Sequence, residues 1–65
     1  MKALRDYLDL TDTKQEAFAK RLGVTQATVS DWVNGEHMPT AERLVAISRE
    51  TGISVDKLLA DVKAA

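Results

Sequence analysis

The stretch GVTQATVSDWVNG, Gly23 to Gly35, opens and closes on glycine. Gly23 stands where a preceding helix must stop, because glycine enters the left-handed conformation at little steric cost. Thr25, two residues on, offers the side-chain oxygen of a good N-cap. A helix over residues 26–33 follows, halted by Asn34-Gly35. Val29 and Trp32 are three apart on this helix and share its inner face. Gln26, Ala27, Ser30 and Asp31 fall on another face, which is short, mostly polar and without a core role.

Upstream, Thr13 with Glu16 three residues later has the pattern of a capping box. It predicts a helix over residues 14–21, with Phe18, Ala19 and Leu22 on its inner side. A turn of about four residues, centred on Gly23-Val24, forces this helix and the next into a steep crossing. Ala19 occupies the point of closest approach, where a larger side chain would push the two apart. Val24 plugs the joint, and Phe18 and Leu22 face Val29 and Trp32.

The flanks are helical too. Leu4, Tyr7 and Leu8 repeat at helical spacing within residues 2–9, and LTDT (residues 10–13) breaks the pattern. EHMP (36–39) is a loop. Thr40 caps a helix over residues 41–50, in which Leu44, Val45 and Ile47 are apolar, and Gly52 ends it. Ser54 caps a short helix over residues 55–61 that carries Val55, Leu58 and Leu59, with Val62 following. The terminal VKAA is expected to fray. No segment alternates at period two long enough for a strand, so the expected class is all-α, with five short helices.

At 65 residues the chain is expected to form one domain, residues 1–65, near the lower size limit for a single hydrophobic core. Apolar residues make up 45% and charged residues 29%, which favours a packed globule over disorder. There is no cysteine, which removes disulfides and thiolate metal sites. His37 is the sole histidine, which argues against a metal site and for a surface loop residue. The carboxylates are scattered, and no nucleophile–base pair can be drawn, so neither catalysis nor a cofactor is expected. No apolar run approaches the roughly 20 residues that span a membrane. The charged start MKALRDYLDL is unlike a signal peptide, and the expectation is a soluble cytoplasmic protein. The net charge of −1 argues weakly against a nucleic-acid partner, since neutralising phosphates drives most such binding.

Residues 15–35, QEAFAKRLGVTQATVSDWVNG, resemble the helix-turn-helix of the Cro and phage-repressor family, also called the xenobiotic-response-element family. MPTAERLVAISRETGISVDKLL (38–59) is similar to that family's fourth and fifth helices. The resemblance covers nearly the whole chain. It implies a compact five-helix, lambda-repressor-like or Cro-like domain with its motif at 15–34. The second helix of such a motif lies in the DNA major groove, with its N-terminal half against base edges.

By that resemblance the base-reading residues would be Thr25, Gln26, Ala27, Ser30 and Asp31, with Thr28 at the flank. Gln26 can pair with N6 and N7 of adenine, and Ala27 can contact the thymine methyl. Ser30 can donate or accept. Asp31 can only accept, from a cytosine amino group, unless it is a plain solvated carboxylate or an ion-pair partner. Gln15, Lys14, Asn34 and His37 would contact phosphates, which hold register without reading sequence. Lys20 either approaches DNA or lies on the solvated side of its helix; Arg21 is read as solvated. The implied partner is a double-stranded operator, bound by a homodimer completed on DNA, in a prokaryotic or phage-infected cell. Two recognition helices would then stand about 34 Å apart on a palindrome. In the family the dimer usually involves the last helices, here Leu58, Leu59 and Val62. The short chain favours a Cro-like or antidote-like protein over a full-length inducible repressor.

The sequence departs from the family in charge. Many relatives carry Lys or Arg just after the Asn-Gly stop, and here that residue is Glu36. Between Lys14 and His37 the formal charges cancel: Lys14, Lys20 and Arg21 against Glu16, Asp31 and Glu36. Few phosphate contacts predict weak non-specific binding and a shallow salt dependence. The rival reading is a protein-interaction module, such as the antidote of a toxin pair. Its acidic residues support it. The polar recognition face, lacking aromatic or leucine anchors, argues against it.

Overall fold

A computed structural model describes residues 1–60 of the chain. In order it contains α1 (Lys2–Leu10), α2 (Gln15–Leu22), α3 (Gln26–Asn34), α4 (Ala41–Thr51) and α5 (Val55–Leu59), with no strand among the described residues. The all-α expectation holds, and the first four helices end within a residue of the expected bounds. The fifth is shorter at its end than the expected 55–61. Val62 and the VKAA tail lie outside the described residues.

Each helix contributes one side chain to the centre of the core. Leu4, Phe18, Val29, Ile47 and Leu58 are fully buried. Complete burial of such a side chain is worth about 1.5–3 kcal/mol relative to exposure. Trp32, Ala19 and Leu8 extend this centre, and the rings of Tyr7 and Phe18 join α1 to α2 with centroids 6.4 Å apart. On α4, Ile47 is buried and Leu44 half-buried, whereas Val45 turns outward. The helical step of 100° per residue separates Val45 from the side that Leu44 and Ile47 share.

Three of the four N-caps are as expected. Thr25, Thr40 and Ser54 each accept a hydrogen bond from the backbone N–H three residues on, at 3.2, 3.3 and 3.2 Å. Each satisfies a donor that the first turn of a helix leaves free. Thr13 is the exception, and its capping box with Glu16 does not form. Lys14 is the residue that precedes α2, in an extended conformation and without a side-chain cap bond. Asp12 adopts a φ of 51°, which swings the chain so that the Thr13 N–H donates to Leu8 O at 2.9 Å. The Thr13 hydroxyl then shares a hydrogen bond with Thr11 Oγ1 at 2.7 Å. Helix α2 therefore starts one residue later than the box requires, and Glu16 falls one place short of the reciprocal position.

Candidate nucleic-acid interface

Two backbone hydrogen bonds set the relation between α2 and α3. Gly23, with φ 72°, closes α2 in the left-handed conformation. Its N–H donates to Lys20 O at 3.3 Å, and the Val24 N–H donates to Ala19 O at 3.0 Å. This is the paired arrangement that satisfies the last carbonyls of a helix while reversing the chain. Thr25 then caps α3 at once, so only residues 23–25 separate the two helices, and α3 lies directly against α2. Ala19, 2% exposed, is buried where the two helices meet. Val24 is half-buried against the same core. Gly35, with φ 78°, ends α3 in the same way, its own N–H donating to Trp32 O and the Glu36 N–H to Asp31 O.

This is the geometry of a helix-turn-helix, and a family model described as Helix-turn-helix matches residues 2–58. The chain belongs to the Cro/C1-type helix-turn-helix family. An uncharacterised HTH-type transcriptional regulator of Haemophilus influenzae is 42% identical to it over 41 residues, which cover 63% of this chain and 17% of that protein. The chain thus spans a small part of that relative's length. No solved structure gives a significant match.

Within the helix-turn-helix, α3 buries Val29, Trp32 and Val33 and turns its other side outward. Gln26 and Ala27 are exposed, while Thr28, Ser30 and Asp31 are half-buried. The outward side chains are not all free. Thr25 Oγ1 caps the helix and shares a second hydrogen bond with Thr28 Oγ1 at 2.8 Å. Gln26 Nε2 donates to Gln15 Oε1 at 2.8 Å. Asn34 Nδ2 donates to Ser30 Oγ at 3.3 Å. Gln26, Ser30 and Asn34 are each one turn apart and form a row along one edge of α3.

The expected phosphate-side residues divide between the flanks. Lys14 and Gln15 border a groove at the start of α2, together with Lys20 and Gln26. His37 lies on the other flank, in a groove shared with Thr28, Asp31 and Arg43. Asn34 stands at the far end of α3, beside Arg5 of α1. The structure therefore brings Gln15 against Gln26 but does not bring the four residues together. Arg21 turns away and pairs with Glu50 of α4 at 3.6 Å.

Two cations escaped the sequence reading. Arg43 reaches from α4 to donate to Leu22 O at 3.0 Å, at the C-terminal end of α2. A cation there meets the negative end of the helix dipole. Arg5 is exposed on the side of α1 next to the end of α3. Both come from outside the 14–37 segment whose charges cancel, and Asp6 lines the groove beside Arg5. Neither residue carries a local signal, because proximity across the fold alone brings them to α3. Met1 was not expected in the core either. It is buried, and its nitrogen donates to Trp32 O at 2.7 Å and Val33 O at 3.3 Å, closing the last turn of α3.

Proposed function

We propose that the chain is a sequence-specific DNA-binding transcriptional regulator that lays α3 in the major groove. The observation that carries this reading is the Gln15–Gln26 hydrogen bond. A glutamine amide has two N–H donors and one acceptor oxygen. With one N–H held by Gln15, the exposed Gln26 keeps one N–H donor and its Oε1 acceptor for another partner. That is the donor–acceptor pair that matches N7 and N6 of adenine. Gln15 keeps its own N–H groups at the start of α2, where helix N–H groups also favour an anion such as phosphate.

The finer assignment follows. Gln26, Ala27, Ser30 and Asp31 read base edges, with Thr25 and Thr28 at the rim of the groove. Lys14, Gln15, Asn34 and His37 hold the phosphates, and Arg43 and Arg5 add charge at either flank. The regulator acts as a Cro-like repressor in a prokaryotic or phage-infected cell, in the cytoplasm, by occupying a palindromic operator and blocking polymerase. It does so as a single DNA-binding unit without catalysis, paired as a homodimer that DNA completes. Leu58 belongs to the core of its own protomer, which leaves the pairing surface to other residues.

A second reading keeps one supporting observation. Leu10 is 87% exposed at the edge of an apolar groove between α1 and α5, bordered by Ala3, Tyr7 and Ile53. Such a groove suits a protein partner and an antidote-type role.

Selection from random duplex DNA by the purified protein, followed by a salt titration on the winner, separates the two. Enrichment of a palindrome with half-sites about one helical turn apart supports the regulator. A folded protein that enriches nothing at low salt refutes it and favours the protein-binding reading.

A further inference from the structure

The Ser30 hydroxyl has one proton to donate and two lone pairs to accept with. On its own it reads bases ambiguously. In the structure it is not on its own, because Asn34 Nδ2, one turn further along α3, donates to Ser30 Oγ at 3.3 Å. Among the described residues nothing accepts the Ser30 proton. The donated hydrogen bond occupies one lone pair and polarises the hydroxyl, so its own proton becomes the stronger outward group.

We propose that Asn34 is a positioning residue that fixes Ser30 as a hydrogen-bond donor, so that Ser30 selects a base edge carrying an acceptor. This rests on the DNA-binding reading above and adds the polarity of one of its contacts. The edges selected are guanine N7 and O6, adenine N7 or thymine O4, and the base disfavoured is cytosine, whose major-groove edge offers only its amino group. Asn34 acts through Ser30 here, in addition to any phosphate that its second N–H meets. Gln26 stands in the same row yet behaves differently, since Gln15 leaves it both a donor and an acceptor.

The test compares wild type, Ser30→Ala, Asn34→Ala and Asn34→Asp on every single-base-pair variant of the duplex that wild type selects. The readout is the ranking of bases at each position, because an added carboxylate lowers affinity for every sequence. Wild type is expected to favour acceptor edges at one position, and Ser30→Ala to reduce that preference by about five-fold, the worth of one neutral hydrogen bond. Asn34→Ala weakens the preference without reversing it. Asn34→Asp reverses it, since the carboxylate takes the Ser30 proton and turns both lone pairs toward the amino groups of cytosine or adenine.

A Ser30→Ala protein with an unchanged ranking overturns the inference, as does Asn34→Asp that ranks bases as wild type does. In both cases the wild-type protein still prefers one sequence, so the DNA-binding reading survives. Wild type that prefers no sequence overturns both. In the free protein, the Asn34 side-chain amide resonances must move in Ser30→Ala; if they stay in place, the hydrogen bond does not hold in solution and the inference fails without reference to DNA.

Discussion

Gln26 and Gln15, the first residues of α3 and α2, are joined by a hydrogen bond of 2.8 Å from Nε2 to Oε1. Neither side chain is in the core, so the pair orients rather than stabilises. Gln26→Ala is expected to cost about 1–3 kcal/mol of binding on the selected duplex, the discrimination carried by one bidentate base contact. Gln15→Ala removes the restraint and, on the proposed reading, one phosphate contact, so it is expected to weaken binding to all sequences more evenly. Thermal melts of both variants are expected to match wild type. Equal duplex affinity of Gln26→Ala and wild type would exclude Gln26 as a base reader.

Gly23 tests the joint without disturbing packing. A Cβ at this position meets no atom within 4 Å, yet φ is 72°. The cost of Gly23→Ala is therefore purely conformational, about 1–2 kcal/mol for a left-handed alanine. Denaturant melts check this, with the midpoint falling and the slope unchanged. A loss well above that range means that the joint resists more than backbone strain.

Ala19 tests the opposite property. It is 2% exposed and lies inside α2, and it is not among the positive-φ residues. Ala19→Leu keeps a good helix former but overfills the crossing, and about 1–3 kcal/mol of stability is lost to strain. The recognition helix is also displaced, so DNA affinity falls further than the melt predicts. A variant as stable as wild type that binds DNA normally would show that the crossing has room, against the packing argument.

Glu36 tests charge. Its backbone N–H closes α3 on Asp31 O at 2.9 Å, which any residue but proline supplies, and its side chain is exposed. Glu36→Lys is expected to strengthen binding to all sequences. It steepens the dependence of log affinity on log salt by about 0.9 if the new ammonium meets one phosphate. An unchanged slope places Glu36 away from the DNA backbone.

Much of this was legible because it is local. The caps at Thr25, Thr40 and Ser54 reach only three residues, and their partners follow from position alone. Val29 and Trp32 declare their side of α3 by helical spacing, and burial agrees. Thr13 has the same local pattern and fails, because the left-handed Asp12 delivers its N–H to Leu8 O before α2 begins. Local rules hold only where no neighbouring turn competes for the same groups.

By itself, then, the sequence determined five helices, the glycine joint, the small residue at the crossing and the polar face of α3. Each follows from backbone preference or from periodicity over a few residues. Only the tertiary structure decided which polar side chains on that face are already engaged and what surrounds them. Gln26 meets Gln15 across 11 positions, Arg43 meets Leu22 across 21, and Met1 meets Trp32 across 31. Hydrogen bonds over such separations have no period, because they depend on where whole helices come to rest once their apolar faces are buried.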